Sequence, residues 1–226
     1  MTSERPTLPR ALRAQLASGY TPVRPLPSPS MRALWVVPFA VLSLVAAQAF
    51  FQLRVDAPLL GWTGTWGISL AQVVVGLVLV AAALKEAVPG RGWTGTAAVL
   101  WLVLPLILLV GVTYASWDLS PVRLRGQWFL VSGMCLAGSA VSALPVVALA
   151  SILTARAYAT RPLLAGALLG LGAGLMADAG WRLFCHFSEP AHVLSAHLGG
   201  VILATLLGSA LVAVLQPRSA WRSPRE

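Results

Sequence analysis

The sequence predicts an all-α, polytopic membrane protein: a six-helix transmembrane bundle with a short N-terminal tail. Three observations predict it. Six apolar runs, each about the 20 residues a helix needs to cross roughly 30 Å of hydrocarbon, fill the chain from Ala33 to Leu215. Hydrophobic residues make up 58% of the 226 and charged ones only 10%, with a mean hydropathy of +0.79, far from the balance of a soluble domain. The runs are also continuous rather than alternating, which favours helices over a β-barrel, whose strands would be about half as long.

Taken in order, residues 1–32 form a basic, Pro-rich tail. Leu8, Leu12 and Leu16 recur at spacing four and predict one face of a short helix that Gly19 ends. Such a helix is marginal alone and gains order against a partner or a membrane surface. The stretch Thr21–Pro29, which includes Arg24 and Pro25, reads as an extended polyproline-type connector. It is too polar for the core of a signal peptide, so the tail is expected to be retained. The spans are placed at Ala33–Leu53, Trp66–Leu84, Trp93–Ser116, Trp128–Ala155, Pro162–Phe184 and His192–Leu215, within a membrane domain of residues 33–216. Polar or Gly/Pro-bearing connectors separate them, among them Asp56–Gly64, Pro89–Gly92 and Asp118–Gly126. Gly-Trp-Thr-Gly-Thr occurs at Gly61–Thr65 and again at Gly92–Thr96, in both places as interfacial Trp with helix-start residues. Gly166, Gly170 and Gly174, facing Gly200, Ala204 and Gly208, are expected to let the fifth and sixth spans pack closely. Residues 217–226 form a short C-terminal tail.

Basic residues fix the expected orientation, because positively charged short loops stay on the cytoplasmic side. Twelve of the 16 fall on one side: Arg5, Arg10, Arg13, Arg24 and Arg32, then Lys85 and Arg91, Arg156 and Arg161, and Arg218, Arg222 and Arg225. Arg54, Arg123, Arg125 and Arg182 fall on the other. Both termini are therefore expected in the cytoplasm. The net charge of +9 is scattered over span ends without interleaved aromatics, so direct nucleic-acid binding is not expected. Nor is an enzymatic activity or a small-molecule substrate: no nucleophile elbow, paired-His zinc motif or phosphate-binding loop is present.

The chemistry-bearing residues gather towards the outer ends of the fifth and sixth spans. Asp178, mid-membrane and costly there, is expected to pair with Arg182 one turn later. Cys185, His186, His192 and His197 are ligand types for a transient zinc- or cadmium-class ion, the only cofactor the sequence suggests. His192 and His197, however, stand about 140° apart on an α-helix and share a metal only if the helix begins after His192. Cys135 lies about 10 Å into the fourth span, with Cys185 higher, at the interface. A disulfide between them then requires movement or a re-entrant connector, and two unlinked thiols remain the other reading.

Two pieces carry a family resemblance. They are Pro22-Val-Arg-Pro-Leu-Pro-Ser-Pro29 with Arg32 just ahead of the first span, and Trp181-Arg-Leu-Phe-Cys-His-Phe-Ser-Glu-Pro-Ala-His192 followed by Gly199-Gly200. With this length and span count the chain resembles the NrsF-like proteins, six-span anti-sigma factors of the bacterial inner membrane. The resemblance implies a protein that holds an extracytoplasmic-function sigma factor inactive and releases it under metal or oxidative stress, with Cys135 and Cys185 at the sensing positions. Leu8, Leu12, Leu16, Arg24 and Pro25 would then be the partner-binding residues. The alternative from another class is a small transporter or channel with a polar path along Asp178, Arg182 and His197.

Overall fold

The computed structural model describes residues 9–18, 25–124 and 126–216. A short helix, α1 (Arg10–Ser18), precedes six longer ones. These are α2 (Pro29–Phe50), α3 (Ala57–Glu86), α4 (Gly95–Leu119), α5 (Trp128–Ala155), α6 (Pro162–Phe184) and α7 (Pro190–Leu215), all long and apolar enough to cross a membrane. The chain is thus an all-α polytopic membrane protein. The ends of α3, α5 and α7 and the starts of α2, α4 and α6 lie at one end of the bundle, here the termini end; the opposite end is the far end.

Of the tail residues singled out in the sequence, Leu8 and Arg24 lie outside the described residues, as do the Leu16 side chain, the Gly19 stop and residues 217–226. Leu12 and Pro25 are exposed.

The first two spans begin well before the apolar runs indicate, for local reasons. The first starts at Pro29, not Ala33, because the Ser28 hydroxyl accepts from the Met31 N–H at 3.3 Å and Pro29 occupies the first turn. Arg32 is thereby drawn inside the helix and buried. The second starts at Ala57, so most of the expected Asp56–Gly64 connector is helix. It is kinked at Gly61, whose φ of +66° suits a residue without Cβ, and continues as a π-helical turn over Thr63–Gly67. The first Gly-Trp-Thr-Gly-Thr copy therefore stands at the break, with Gly61 non-helical and Trp62–Thr65 opening the helical stretch beyond it. In the second, Thr94 caps α4 by accepting from the Ala97 N–H at 3.3 Å.

Helix α6 is the axle of the bundle, buried along nearly its whole length. Glycines on several of its faces make that arrangement fit. A Cβ on Gly166 would sit 2.5 Å from the Gly208 carbonyl of α7, and one on Gly172 2.5 Å from the Gly76 carbonyl of α3. Gly180 meets the Ser43 carbonyl of α2. The expected α6–α7 stripe is present at Gly166, Gly170 and Gly174 opposite Ala204 and Gly208, but Gly200 faces Ser139 of α5 instead. By contrast α4 is mostly exposed along its length, with Leu109 and Thr113 among its few buried residues.

Candidate functional site

At the far end, α6 stops at Phe184 and the chain turns back on the bundle. Cys185 takes an extended conformation (φ −72°, ψ 114°) while its N–H donates to the Trp181 carbonyl at 2.8 Å. The next residues run without helix to Pro190. Cys185 is thus carried inward, not left high at the interface, and its Sγ lies 3.9 Å from Cys135 Sγ of α5 with both thiols free and buried. The re-entrant connector accounts for the difference in depth.

The histidines join through a second departure from regular helix. Residues Val193–His197 at the start of α7 form a π-helical turn, whose i→i+5 bonding brings residues five apart towards one face. The rings of His192 and His197 lie 5.4 Å apart, contrary to the 140° separation of a regular helix. Ligand atoms of Cys135, Cys185, His192 and His197 all fall within 4.8 Å of one another, and all four residues are buried. His186 is not in this group; its ring lies 4.2 Å from that of Phe187.

Each imidazole is steered by a partner on its outer nitrogen. His192 Nε2 lies 3.2 Å from Cys185 Sγ while its Nδ1 lies 2.9 Å from Ser132 Oγ. His197 Nδ1 lies 2.7 Å from Asp178 Oδ1. The other oxygen of Asp178 accepts from Arg182 Nε at 2.9 Å and from Gln72 Nε2 of α3 at 2.5 Å. Asp178, His192 and His197 are each at most 1% exposed, so the carboxylate is sustained by these donors. The Asp178–Arg182 pair thus belongs to a larger network running from α3 to the thiols.

A second ionic group fastens the connector. Arg54 makes a bidentate pair with Asp56 at 2.6 and 2.8 Å and donates to Ser188 Oγ at 2.8 Å, while its backbone N–H donates to the Leu183 carbonyl at 2.9 Å. Ser120 Oγ donates to Asp56 at 2.6 Å. Burial pushes the Asp56 carboxyl up, but the bonds from Arg54 and Ser120 outweigh it and hold the group below the usual carboxylate range. Glu189 accepts from the Leu124 N–H at 2.9 Å, tying the start of α7 to the α4–α5 loop. A cavity of about 10 Å³ between Arg54, Arg182, Cys185 and His197 has room for roughly one water.

Two thiols and two imidazoles form an S₂N₂ donor set, the type that holds zinc-class ions tetrahedrally. A carboxylate on the far nitrogen of a ligand His is the usual supporting partner. The same two thiols, 3.9 Å apart, are also within a small movement of the roughly 2.05 Å of a disulfide. Gln72, Ser132 and the Arg54–Asp56–Ser188 group were not singled out from sequence. Gln72 did carry a signal, being a lone amide in an otherwise apolar span.

Compared with known families, residues 16–216 match the NrsF model, described as negative regulator of sigma F. No curated protein and no solved structure matches the chain.

Proposed function

Because the chain belongs to the NrsF family of negative regulators of a sigma factor, we propose that it is a membrane anti-sigma factor whose grip is released by chemistry at the far-end thiols. The sigma factor is of the extracytoplasmic-function class and is held by the tail through Leu8, Leu12, Leu16, Arg24 and Pro25. The membrane is the bacterial inner membrane, with both termini cytoplasmic and the thiols on the outer side.

The observation that carries this reading is the convergence of Cys135, Cys185, His192 and His197 within 4.8 Å. Two stimuli fit it. A zinc- or cadmium-class ion would be held by the two thiolates and two imidazoles, displacing the thiol protons. Alternatively, a two-electron oxidant such as a peroxide takes two electrons from the thiols; an S–S bond forms, two protons leave and the peroxide is reduced to water. Either event joins α5 to the connector between α6 and α7. Helix α6, 23 residues and so roughly 35 Å long, offers a rigid route to the termini end. The transport alternative has less support, since the cavity beside Arg182 and His197 is only about 10 Å³.

A sigma-dependent reporter tests the sensing step. Cys135→Ser and Cys185→Ser strains are expected to stay repressed under cadmium or peroxide. Normal induction in both would overturn the thiol mechanism. For the tail, the Leu8/Leu12/Leu16 triple Ala variant is expected to lose capture of the sigma factor in a pull-down; capture at full strength would exclude that contact.

A further inference from the structure

A groove runs between α3 and α4, away from the thiol site. At the termini end it opens as a cleft of about 330 Å³ bordered by Lys85, Arg91, Trp93, Val78 and Trp101. Nearer mid-span lies a second cleft of about 200 Å³, bordered by Val75, Pro105 and Leu108 and reaching Gln72. Val78 stands one turn from Val75 and Trp101 one turn from Pro105, so the two clefts are successive stretches of one groove. It has a cationic, aromatic mouth and an apolar body.

The mouth is built for negative charge. Lys85 Nζ sits 3.7 Å from the centre of the Trp93 ring, and Trp93 Nε1 donates to the Ala82 carbonyl at 3.1 Å, which fixes the indole. The neighbouring carboxylate, Glu86, is taken up by Arg161 Nε at 2.6 Å and the Trp93 N–H at 2.7 Å. Among the described residues neither Lys85 nor Arg91 is ion-paired. Two cations at the edge of a span, above a slot of apolar side chains, match a phosphodiester head with an acyl chain beneath it.

We propose that this groove binds an anionic phospholipid of the leaflet at the termini end, its headgroup on Lys85 and Arg91 and one acyl chain lying along Val78 and Val75 towards Gln72. The mouth also borders Pro29 and Ser30, so the bound lipid touches the root of the tail. Its other end abuts the amide that donates to Asp178. The site stands apart from the sensing reading and survives if that reading fails.

The test is lipid retention by the full-length protein, taken from nanodiscs of phosphatidylglycerol and phosphatidylethanolamine into mild detergent and weighed by native mass spectrometry. Wild type is expected to retain phosphatidylglycerol over phosphatidylethanolamine. The Lys85→Gln/Arg91→Gln variant is expected to lower that retention roughly 30-fold, at about 1 kcal/mol for each cation. Val75→Trp fills the slot without altering charge and is expected to lower it as well, with circular dichroism and gel filtration confirming the fold of both. Unchanged retention in either folded variant would overturn the proposal, as would equal retention of the two lipids. So would displacement of the lipid by inorganic phosphate, which would make the mouth a free-anion site, or a dimer that buries the groove.

Discussion

The two ends of the bundle each bury an ionic group, and they are built for different things. At the termini end Arg32 donates to the Leu153 carbonyl at 3.0 Å and the Leu84 carbonyl at 3.1 Å, satisfying the last turns of α5 and α3 with one guanidinium. Glu86 likewise holds Arg161 and the Trp93 backbone. Among the described residues these two groups answer helix ends and a loop, and neither includes a nucleophile or a soft ligand. The far end places Cys135, Cys185, His192 and His197 in mutual reach, with Asp178 bonded to His197 and Arg54 bonded to Ser188 in the connector that follows Cys185. Burial of charge alone therefore does not distinguish a fastening from a candidate reactive site. What distinguishes them is whether the charged groups end on backbone or on side chains that have chemistry of their own.

The largest expected break in this contrast comes from Asp178→Asn. Removing the carboxylate charge leaves the part-buried Arg182 guanidinium without its counterion and puts an amide where Gln72 and Arg182 both donate, at a cost of about 3–5 kcal/mol. It also replaces the charged acceptor on His197 Nδ1 with a neutral one at best, so cadmium affinity, read from thiolate-to-metal ultraviolet absorption on the purified protein, should fall about 10–100-fold. Wild-type affinity together with wild-type thermal stability would mean that Asp178 supports neither.

Arg32→Ala probes the other end and should do the opposite. Two carbonyls lose their donor, for about 1–3 kcal/mol in thermal unfolding, while cadmium affinity at the far end stays at the wild-type value. In the sigma reporter, the loosened root of the tail should raise basal output without stimulus. If cadmium affinity changed as well, the two ends would be coupled already in the resting state, and the contrast would need to be redrawn.

What was legible in the sequence follows the same division. Spans were readable because lipid demands long apolar runs, and the bounds of α5 and α6 coincide with those runs. The starts of α2 and α3 fall outside those runs because α2 opens on a Ser28-capped, polar first turn and α3 on a short Pro-bearing turn broken off at Gly61, features that hydropathy does not weigh. At the site, residue types were visible but their meeting was not. A spacing of five reads as opposed faces unless a π turn intervenes, as it does at Val193–His197. The depth of Cys185 depended on the chain folding inward after Phe184, a choice made by distant partners: Arg54 bonds the Leu183 carbonyl and Ser188.

That last fastening allows a finer test, with the smallest expected effect. The folded-state pKa of Asp56 lies below that of an unfolded carboxylate, about 3.9. Its contribution to stability is therefore fully present above that value and is lost as pH falls through the folded pKa. Protonation weakens the pair with Arg54, and Arg54 is what holds Ser188 and the connector over the thiols. Alkylation of Cys185 by a neutral maleimide, corrected for the thiolate fraction on a model thiol, should accordingly rise a few-fold at the acid end. In Asp56→Asn the corrected rate should already be raised at neutral pH and should lose this dependence. A corrected rate that is flat with pH in wild type would show that the connector is held by its apolar contacts, Phe187 against His192 among them, and that the far-end ionic group is a fastening of the same kind as Arg32.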